Sequence, residues 1–77
     1  MGAVTIPQAF GRVLREFRTK AGLSQEQLAL NAGLDRTYIS LLERGLRQPT
    51  LSTLFRLAEI LGVAPATLVA RTAAIAR

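Results

Sequence analysis

The segment GLDRTYISLLERG, residues 33–45, places cationic and hydrogen-bonding side chains beside apolar ones at helical spacing. At 100° per residue, Tyr38, Ile39 and Leu42 fall on one side of a helix. The other side carries donors, hydroxyls and one methyl-rich chain: Arg36, Thr37, Ser40, Leu41 and Arg44. The major groove of DNA offers guanine acceptors, thymine methyls and flanking phosphates to such a face. The same face could also be ordinary solvated surface, so the remaining sequence has to decide.

The composition describes a small basic domain. A chain of 77 residues is near the size at which a single core is only just adequate, and its 49% hydrophobic content argues against disorder. Ten Lys and Arg residues against five Asp and Glu give a net charge of +5. This excess favours an anionic partner: nucleic acid is the leading candidate, and an acidic membrane surface or an acidic protein is the alternative.

Several function classes are disfavoured by the residue types that the sequence lacks. Without Cys or His there is no thiolate metal site and no imidazole base, so we expect no metal ion, no cofactor and no catalysis. No apolar run approaches the ~18 residues that span a bilayer, and the first ten residues do not resemble a secretory signal. We therefore predict a cytoplasmic protein without a membrane partner.

Helix signals occupy the first half of the chain. Pro7 suits the first turn of a helix that ends near Gly22, and its apolar face is Ile6, Phe10, Val13, Leu14 and Phe17. Ser24 and Gln27 form an S-x-x-Q capping box for a short second helix, which Gly33 ends.

Three more helices are predicted in the second half. Asp35 should cap the third, which runs through Arg44, and Thr50 or Ser52 should cap the fourth. Pro65 opens the fifth. The apolar stripes of the last two are Leu54, Leu57, Ala58 and Leu61, then Leu68, Val69, Thr72 and Ile75. The prediction is a single all-α domain over residues 1–77, a compact unit of five helices.

Two short helices joined by a tight turn at Gly33 predict a helix-turn-helix over about residues 24–45. The stretch GLSQEQLALNAGLDRTYISLLERGLRQPTLSTLFRLAEILGV, residues 22–63, resembles the Cro/C1-type (XRE) helix-turn-helix family. Within it, LDRTYIS followed by ER is similar to controller proteins of restriction–modification systems, and other small regulators carry near-identical stretches. The resemblance implies a lambda repressor-like DNA-binding fold.

The resemblance also implies roles for individual residues. Arg36 and Thr37 would read bases, flanked by Ser40 and by Leu41, whose apolar chain suits a thymine methyl. Contacts with phosphates or groove edges are expected for Gln25, Tyr38, Arg44 and Arg47. Tyr38 could equally serve to pack the helix.

Two structural roles complete the prediction. Arg18 and Glu43 match a pair that in the family ties the first helix to the third. A domain of this size cannot hide every apolar side chain, so residues 51–77 are predicted to form a two-fold interface. Its candidate contacts, which could also be ordinary core, are Leu61, Leu68, Val69 and Ile75.

These observations favour a sequence-specific transcriptional regulator that binds a two-fold symmetric operator in double-stranded DNA as a homodimer, with RNA polymerase as a further candidate partner. The alternative is an antitoxin or other protein-interaction module with the same fold. An enzyme is disfavoured because Ser24, Ser40 and Ser52 have no histidine to activate them.

Overall fold

Five α-helices connected by short turns make up residues 2–77, the part of the chain that this computed structural model describes. They are α1 (Ile6–Lys20), α2 (Gln25–Ala32), α3 (Arg36–Glu43), α4 (Leu51–Leu61) and α5 (Pro65–Ile75). The predicted all-α fold of five helices is confirmed, with no strand among the described residues. The third helix ends one residue earlier than predicted, because Arg44 is its C-cap.

Local capping explains where the first two helices begin. The predicted capping box of α2 is present: the Gln27 backbone N–H donates to Ser24 Oγ over 3.0 Å, and the Ser24 N–H donates to Gln27 Oε1 over 2.8 Å. A second box, Thr5 with Gln8, starts α1 and was missed, although its T-x-x-Q spacing is readable in the sequence.

The caps of α3 and α4 differ. Thr50 Oγ1 accepts from the Thr53 N–H over 3.1 Å, so Thr50 rather than Ser52 caps α4. Asp35 occupies the N-cap position of α3, but its side chain makes no capping hydrogen bond, and the prediction that it caps the helix was wrong in this respect. The exposed Asp35 carboxylate therefore lies beside the first turn of α3 without a hydrogen bond to its backbone N–H groups.

Every helix contributes a fully buried side chain to one core. The largest of these are Val13, Leu14, Leu28, Ile39, Leu42, Leu57 and Leu68. Burial of each such side chain contributes roughly 1.5–3 kcal/mol, so this core is what holds the two short middle helices in place. Ile6, predicted on the buried face of α1, is 61% exposed, since it lies at the first residue of the helix and the core does not reach it.

Gly11 allows α1 to approach the end of α3 closely. A Cβ atom at this position would lie 2.5 Å from the Leu42 carbonyl oxygen and 2.6 Å from that of Glu43. Both are backbone atoms that cannot rotate away. The position therefore needs a residue without a side chain, and the contact sets how α3 is seated on α1.

Among residues 2–77, no single helix combines the length and apolar composition of a membrane span. Helices α4 and α5 satisfy that test as a pair on length and composition alone, but they are bent by 106° at their junction.

Candidate nucleic-acid interface

Helix α3 presents its first turn to solvent while its opposite side is locked in the core. Ile39 and Leu42 are fully buried, whereas Arg36 and Thr37 are exposed. Because both buried anchors lie on one side, the helix cannot rotate to hide the Arg36–Thr37 corner. The other residues of this helix that were predicted to contact DNA differ in exposure: Ser40 and Leu41 are half-buried, and Arg44, just past the end of the helix, is exposed. Tyr38 is half-buried and packs against the core.

The turn between α2 and α3 sets the angle of the two helices. Gly33 has φ of +68°, in the left-handed region that glycine adopts without a Cβ penalty. Its N–H donates to the Leu30 carbonyl, and the Leu34 N–H donates to that of Ala29 over 2.8 Å. These bonds stop α2 and turn the chain at once into α3, which produces the helix-turn-helix geometry at the predicted place.

A polar network ties three elements together behind this unit. Arg18 Nε of α1 lies 2.6 Å from Glu43 Oε2 of α3, and the two side chains are only 12% and 4% exposed. The same guanidinium donates through Nη2 to Glu43 Oε1 over 3.1 Å and through Nη1 to the Leu23 carbonyl over 2.8 Å. Arg18 and Glu43 were predicted to pair from the family resemblance.

Gln25, predicted to bind a phosphate, belongs to the same network. Its Nε2 donates to Glu43 Oε1 over 3.0 Å, at the first residue of α2. Sequence reasoning missed this contact, because residues 25 and 43 are far apart in the chain. Gln25 is half-buried, and its side chain is therefore held by the protein before any ligand arrives.

Three arginines around the helix-turn-helix have no acidic partner. Arg36, Arg44 and Arg47 are exposed and take part in none of the salt bridges found within residues 2–77. Unpaired guanidinium groups are available to bind phosphates or guanine edges. Asp35 is the one exposed carboxylate next to them in sequence.

Of the remaining ion pairs, one lies within α1 and the other joins α1 to α5. Glu16 pairs with Lys20 over 3.2 Å and with Arg71 over 2.8 Å. Hydrogen bonds from Lys20 and from Arg71 lower the pKa of the partly exposed Glu16 carboxyl below its usual value. The two cations also lie over the Phe17 ring, 5.8 and 5.6 Å from its centroid. This cluster links the two helices and leaves both cations already paired.

The predicted two-fold contact residues do not share one surface. Leu68 is fully buried in the core, so it cannot touch a partner chain and its assignment to an interface was wrong. Leu61 and Ile75 are half-buried against that core, and only Val69, at 52%, is well exposed. The reason is packing: α5 lies across α1, which covers the side of α5 that carries Leu68.

An apolar groove lies nearby instead, between the start of α1, the start of α4 and the outer side of α5. It has a volume of about 250 Å³, and its walls include three large exposed side chains: Ile6, Leu51 and Val69. Phe55, one turn after Leu51 on α4, is also 59% exposed. Sequence reasoning missed Leu51 and Phe55, although their four-residue spacing off the main stripe of α4 was a readable signal.

Within residues 2–77, no group of three or more acidic, His or Cys side chains is arranged to hold a metal ion.

Comparison with known proteins places the chain among helix-turn-helix proteins. The family profile described as helix-turn-helix matches residues 14–68. The control protein C.BamHI of Bacillus amyloliquefaciens is 44% identical over 57 residues, which are 73% of this chain and 70% of that protein.

Two solved structures extend the likeness to the fold. The clp gene regulator ClgR from Corynebacterium glutamicum superposes with a TM-score of 0.92 at 26% identity, over 99% of this chain and 97% of that one. The master regulator for biofilm formation, SinR, solved in complex with DNA, superposes with a TM-score of 0.75 at 31% identity, over 78% and 97%. All five helices thus have counterparts in the first of these regulators.

Proposed function

The chain belongs to the Cro/C1-type helix-turn-helix family of DNA-binding transcriptional regulators, and from that premise we propose that it binds a two-fold symmetric operator as a homodimer. The observation that carries the proposal is the first turn of α3, where Arg36 and Thr37 are exposed above the buried Ile39 and Leu42. In this fold, the N-terminal residues of the second helix of the motif contact base edges in the major groove.

Base recognition is assigned to the exposed side of α3. Arg36 donates in bidentate fashion to guanine O6 and N7, the commonest specific contact of arginine in the major groove. The Thr37 hydroxyl and methyl lie beside it, and Ser40 and Leu41 flank the next base pair, where Leu41 offers an apolar contact to a thymine methyl. Because Ser40 and Leu41 are half-buried, we expect them to contribute less than Arg36.

Phosphate contacts on both sides of α3 fix its depth in the groove. Gln25 at the start of α2 binds on one side, and Arg44 and Arg47 after α3 bind on the other. Tyr38 packs through its ring and offers its hydroxyl to a phosphate. Each neutralised phosphate makes log K fall with log salt at a slope of about −0.9, so two arginines predict a visible salt dependence.

The two-fold contact is best assigned to the groove edged by Ile6, Leu51 and Val69, together with Phe55. These four large apolar side chains are 52–74% exposed in the single chain; Ile6, Leu51 and Val69 line the groove, and Phe55 lies one helical turn after Leu51 on α4. Residues 51–77 remain the predicted dimerisation region, with Ile6 of α1 added to it. A self-complementary patch of this kind supports a closed dimer, and binding to adjacent major grooves requires its two α3 helices to lie about 34 Å apart.

Selection of bound duplexes from a random pool, followed by binding measurements, tests the DNA proposal. Arg36→Ala should lower affinity for the selected operator by roughly 5–150-fold, the equivalent of about 1–3 kcal/mol, and relax preference at one base position. Arg12→Ala is the matched control, because it removes the same charge from an exposed residue of α1 that has no acidic partner. Equal losses on all sequences would reduce Arg36 to a phosphate contact.

Sedimentation equilibrium tests the dimer. Val69→Glu should shift the chain toward monomer, because it places a charge in an apolar contact. Ala70→Glu, at an exposed residue of α5 that does not line the groove, should not. If both variants sediment as the wild-type protein does, the contact lies elsewhere.

Narrower roles follow from the same premise. The likeness to a control protein favours a controller of a restriction–modification system, which the presence of methyltransferase and endonuclease genes beside this one would test. We infer action without catalysis, a cytoplasmic location and an additional contact with RNA polymerase as properties of such a regulator. Two-hybrid assay against polymerase subunits would test the last.

A further inference from the structure

The carboxylate of Glu43 contacts more than its ion-pair partner. Oε1 accepts from Arg18 Nη2 over 3.1 Å and from Gln25 Nε2 over 3.0 Å, while Oε2 accepts from Arg18 Nε over 2.6 Å. The Glu43 side chain is 4% exposed. An ion pair that served only to join α1 to α3 would not need a third donor on the carboxylate, and the donor from Gln25 is the second on Oε1.

The chemistry of the amide gives this third contact a consequence. A glutamine side chain has two N–H donors held in one plane about 120° apart. With one donor on Glu43, the plane of the Gln25 amide is restricted, and the second N–H points away from the carboxylate. Gln25 is also the first residue of α2, where backbone N–H groups lack intrahelical acceptors and the helix dipole favours an anion.

Charge balance is needed for an anion to bind there. A carboxylate 3.0 Å from the Gln25 amide nitrogen would by itself repel a phosphate. Arg18 offsets that charge through two hydrogen bonds to the carboxylate, and the same guanidinium holds the Leu23 carbonyl just before α2. The network therefore fixes both the side chain of Gln25 and the start of its helix.

We propose that Glu43 is a positioning residue for DNA: it holds one amide proton of Gln25 so that the other is presented to a backbone phosphate, while Arg18 cancels its charge. This inference rests on the proposed DNA-binding function and deepens it. The contact to the phosphate is made by Gln25, and Glu43 acts only through it. A rotamer that is set in advance lowers the entropic cost of binding.

A set of double-mutant comparisons tests this role. The loss of affinity caused by Gln25→Ala is measured by fluorescence anisotropy in four backgrounds: wild type, Glu43→Gln, Glu43→Asp and the double variant Arg18→Met with Glu43→Leu. Glu43→Gln keeps an acceptor at the same place without the charge, and Glu43→Asp keeps the charge but withdraws the acceptor. The double variant removes both and replaces the ion pair with apolar side chains, which proteins often tolerate.

The probes are the selected operator duplex and a fixed duplex of mixed sequence. Gln25→Ala should weaken binding about tenfold in the wild-type and Glu43→Gln backgrounds, the size of a hydrogen bond to a charged group. It should cost less than about twofold in the other two backgrounds, because Gln25 is then no longer held. Circular dichroism at the assay temperature confirms that each variant is folded, and the double variant still tests the proposal if a single one is not.

The outcomes separate the two proposals. If Gln25→Ala costs the same factor in every background, or nothing in the wild type, Glu43 does not position a phosphate contact and the inference is overturned. If the wild-type protein fails to discriminate between the two duplexes, the proposed regulator function fails instead. The comparison of backgrounds can still be made on the mixed-sequence duplex, because a phosphate contact does not depend on sequence.

Discussion

Replacement of Gly11 by alanine should destabilise the protein, against the usual preference of helices for alanine. In an exposed helix interior, Gly→Ala stabilises by about 1 kcal/mol. At Gly11 the new Cβ would lie 2.5 and 2.6 Å from two carbonyl oxygens at the end of α3. Contacts between carbon and carbonyl oxygen ordinarily measure about 3.3–3.6 Å, so the new methyl group would be too close by about 0.7–1.1 Å.

The magnitude follows from which atoms would have to move. The oxygens belong to Leu42 and Glu43, and neither can swing aside without shifting the backbone of α3. Overpacking costs about 1–3 kcal/mol, and two clashes with backbone atoms put Gly11→Ala at the upper end, about 3 kcal/mol, of which the helix preference returns about 1 kcal/mol. We expect a net loss of about 2 kcal/mol, which for a domain of this size lowers Tm by about 8–16 °C.

Urea and thermal unfolding followed by circular dichroism measure this loss, with all proteins at one concentration because a dimer makes Tm depend on concentration. Ala70→Gly is the control for helix preference, because Ala70 is exposed and lies in the middle of α5. It should lower the free energy of unfolding by about 1 kcal/mol. Both substitutions should therefore destabilise, although they run in opposite directions. A Gly11→Ala protein as stable as the wild type would refute the close approach of α1 and α3.

Three further predictions concern stability. Thr50→Ala should lower the free energy of unfolding in urea by about 1 kcal/mol, because it removes the cap of α4. Asp35→Ala should change it by less than about 0.5 kcal/mol, because Asp35 makes no capping hydrogen bond, and equal losses would contradict this difference. Leu28→Ala should destabilise the protein by about 2–5 kcal/mol, because Leu28 is fully buried. Leu30→Ala, also on α2 but at a residue that is 79% exposed, should destabilise it by less than about 0.5 kcal/mol. A large loss for Leu30→Ala would reveal a contact that the single chain lacks. The pKa of Glu16 is lowered by hydrogen bonds from a lysine and an arginine, so its contribution is present above pH 4.5 and is lost as the pH falls through the lower folded value. Wild type should thus exceed Glu16→Gln in stability at pH 7, with the gap narrowing as the pH is lowered from 4.5. A gap that stays constant or widens as the pH falls below 4.5 would show that protonation of Glu16 is not its cause.

Much of the fold could be predicted because its signals are local. The Ser24–Gln27 box, the left-handed Gly33 and the proline at the start of α5 act within a few residues, so helix order and most helix ends follow from neighbours in the chain. The two sides of α3 follow from helical periodicity, and the structure buries Ile39 and Leu42 as that periodicity predicts. Family membership was readable for the same reason, since the motif is a continuous stretch.

Other features depend on contacts between distant parts of the chain. Leu68 and Val69 are adjacent and both apolar, yet one is fully buried and the other is 52% exposed, because only the packing of α5 across α1 decides which side is covered. The contact of Gln25 with Glu43 joins residues 18 apart, and nothing near either residue predicts it.

What the sequence by itself determined is the identity of the motif and the side of α3 that can meet DNA, because both are set by local periodicity and capping. What only the tertiary structure decided is how that side is held and what surrounds it: the network behind Gln25, the close contact at Gly11 and the exposed groove beside Val69. These arise where helices distant in sequence meet, and the geometry of such meetings is a property of the packed core rather than of any single segment.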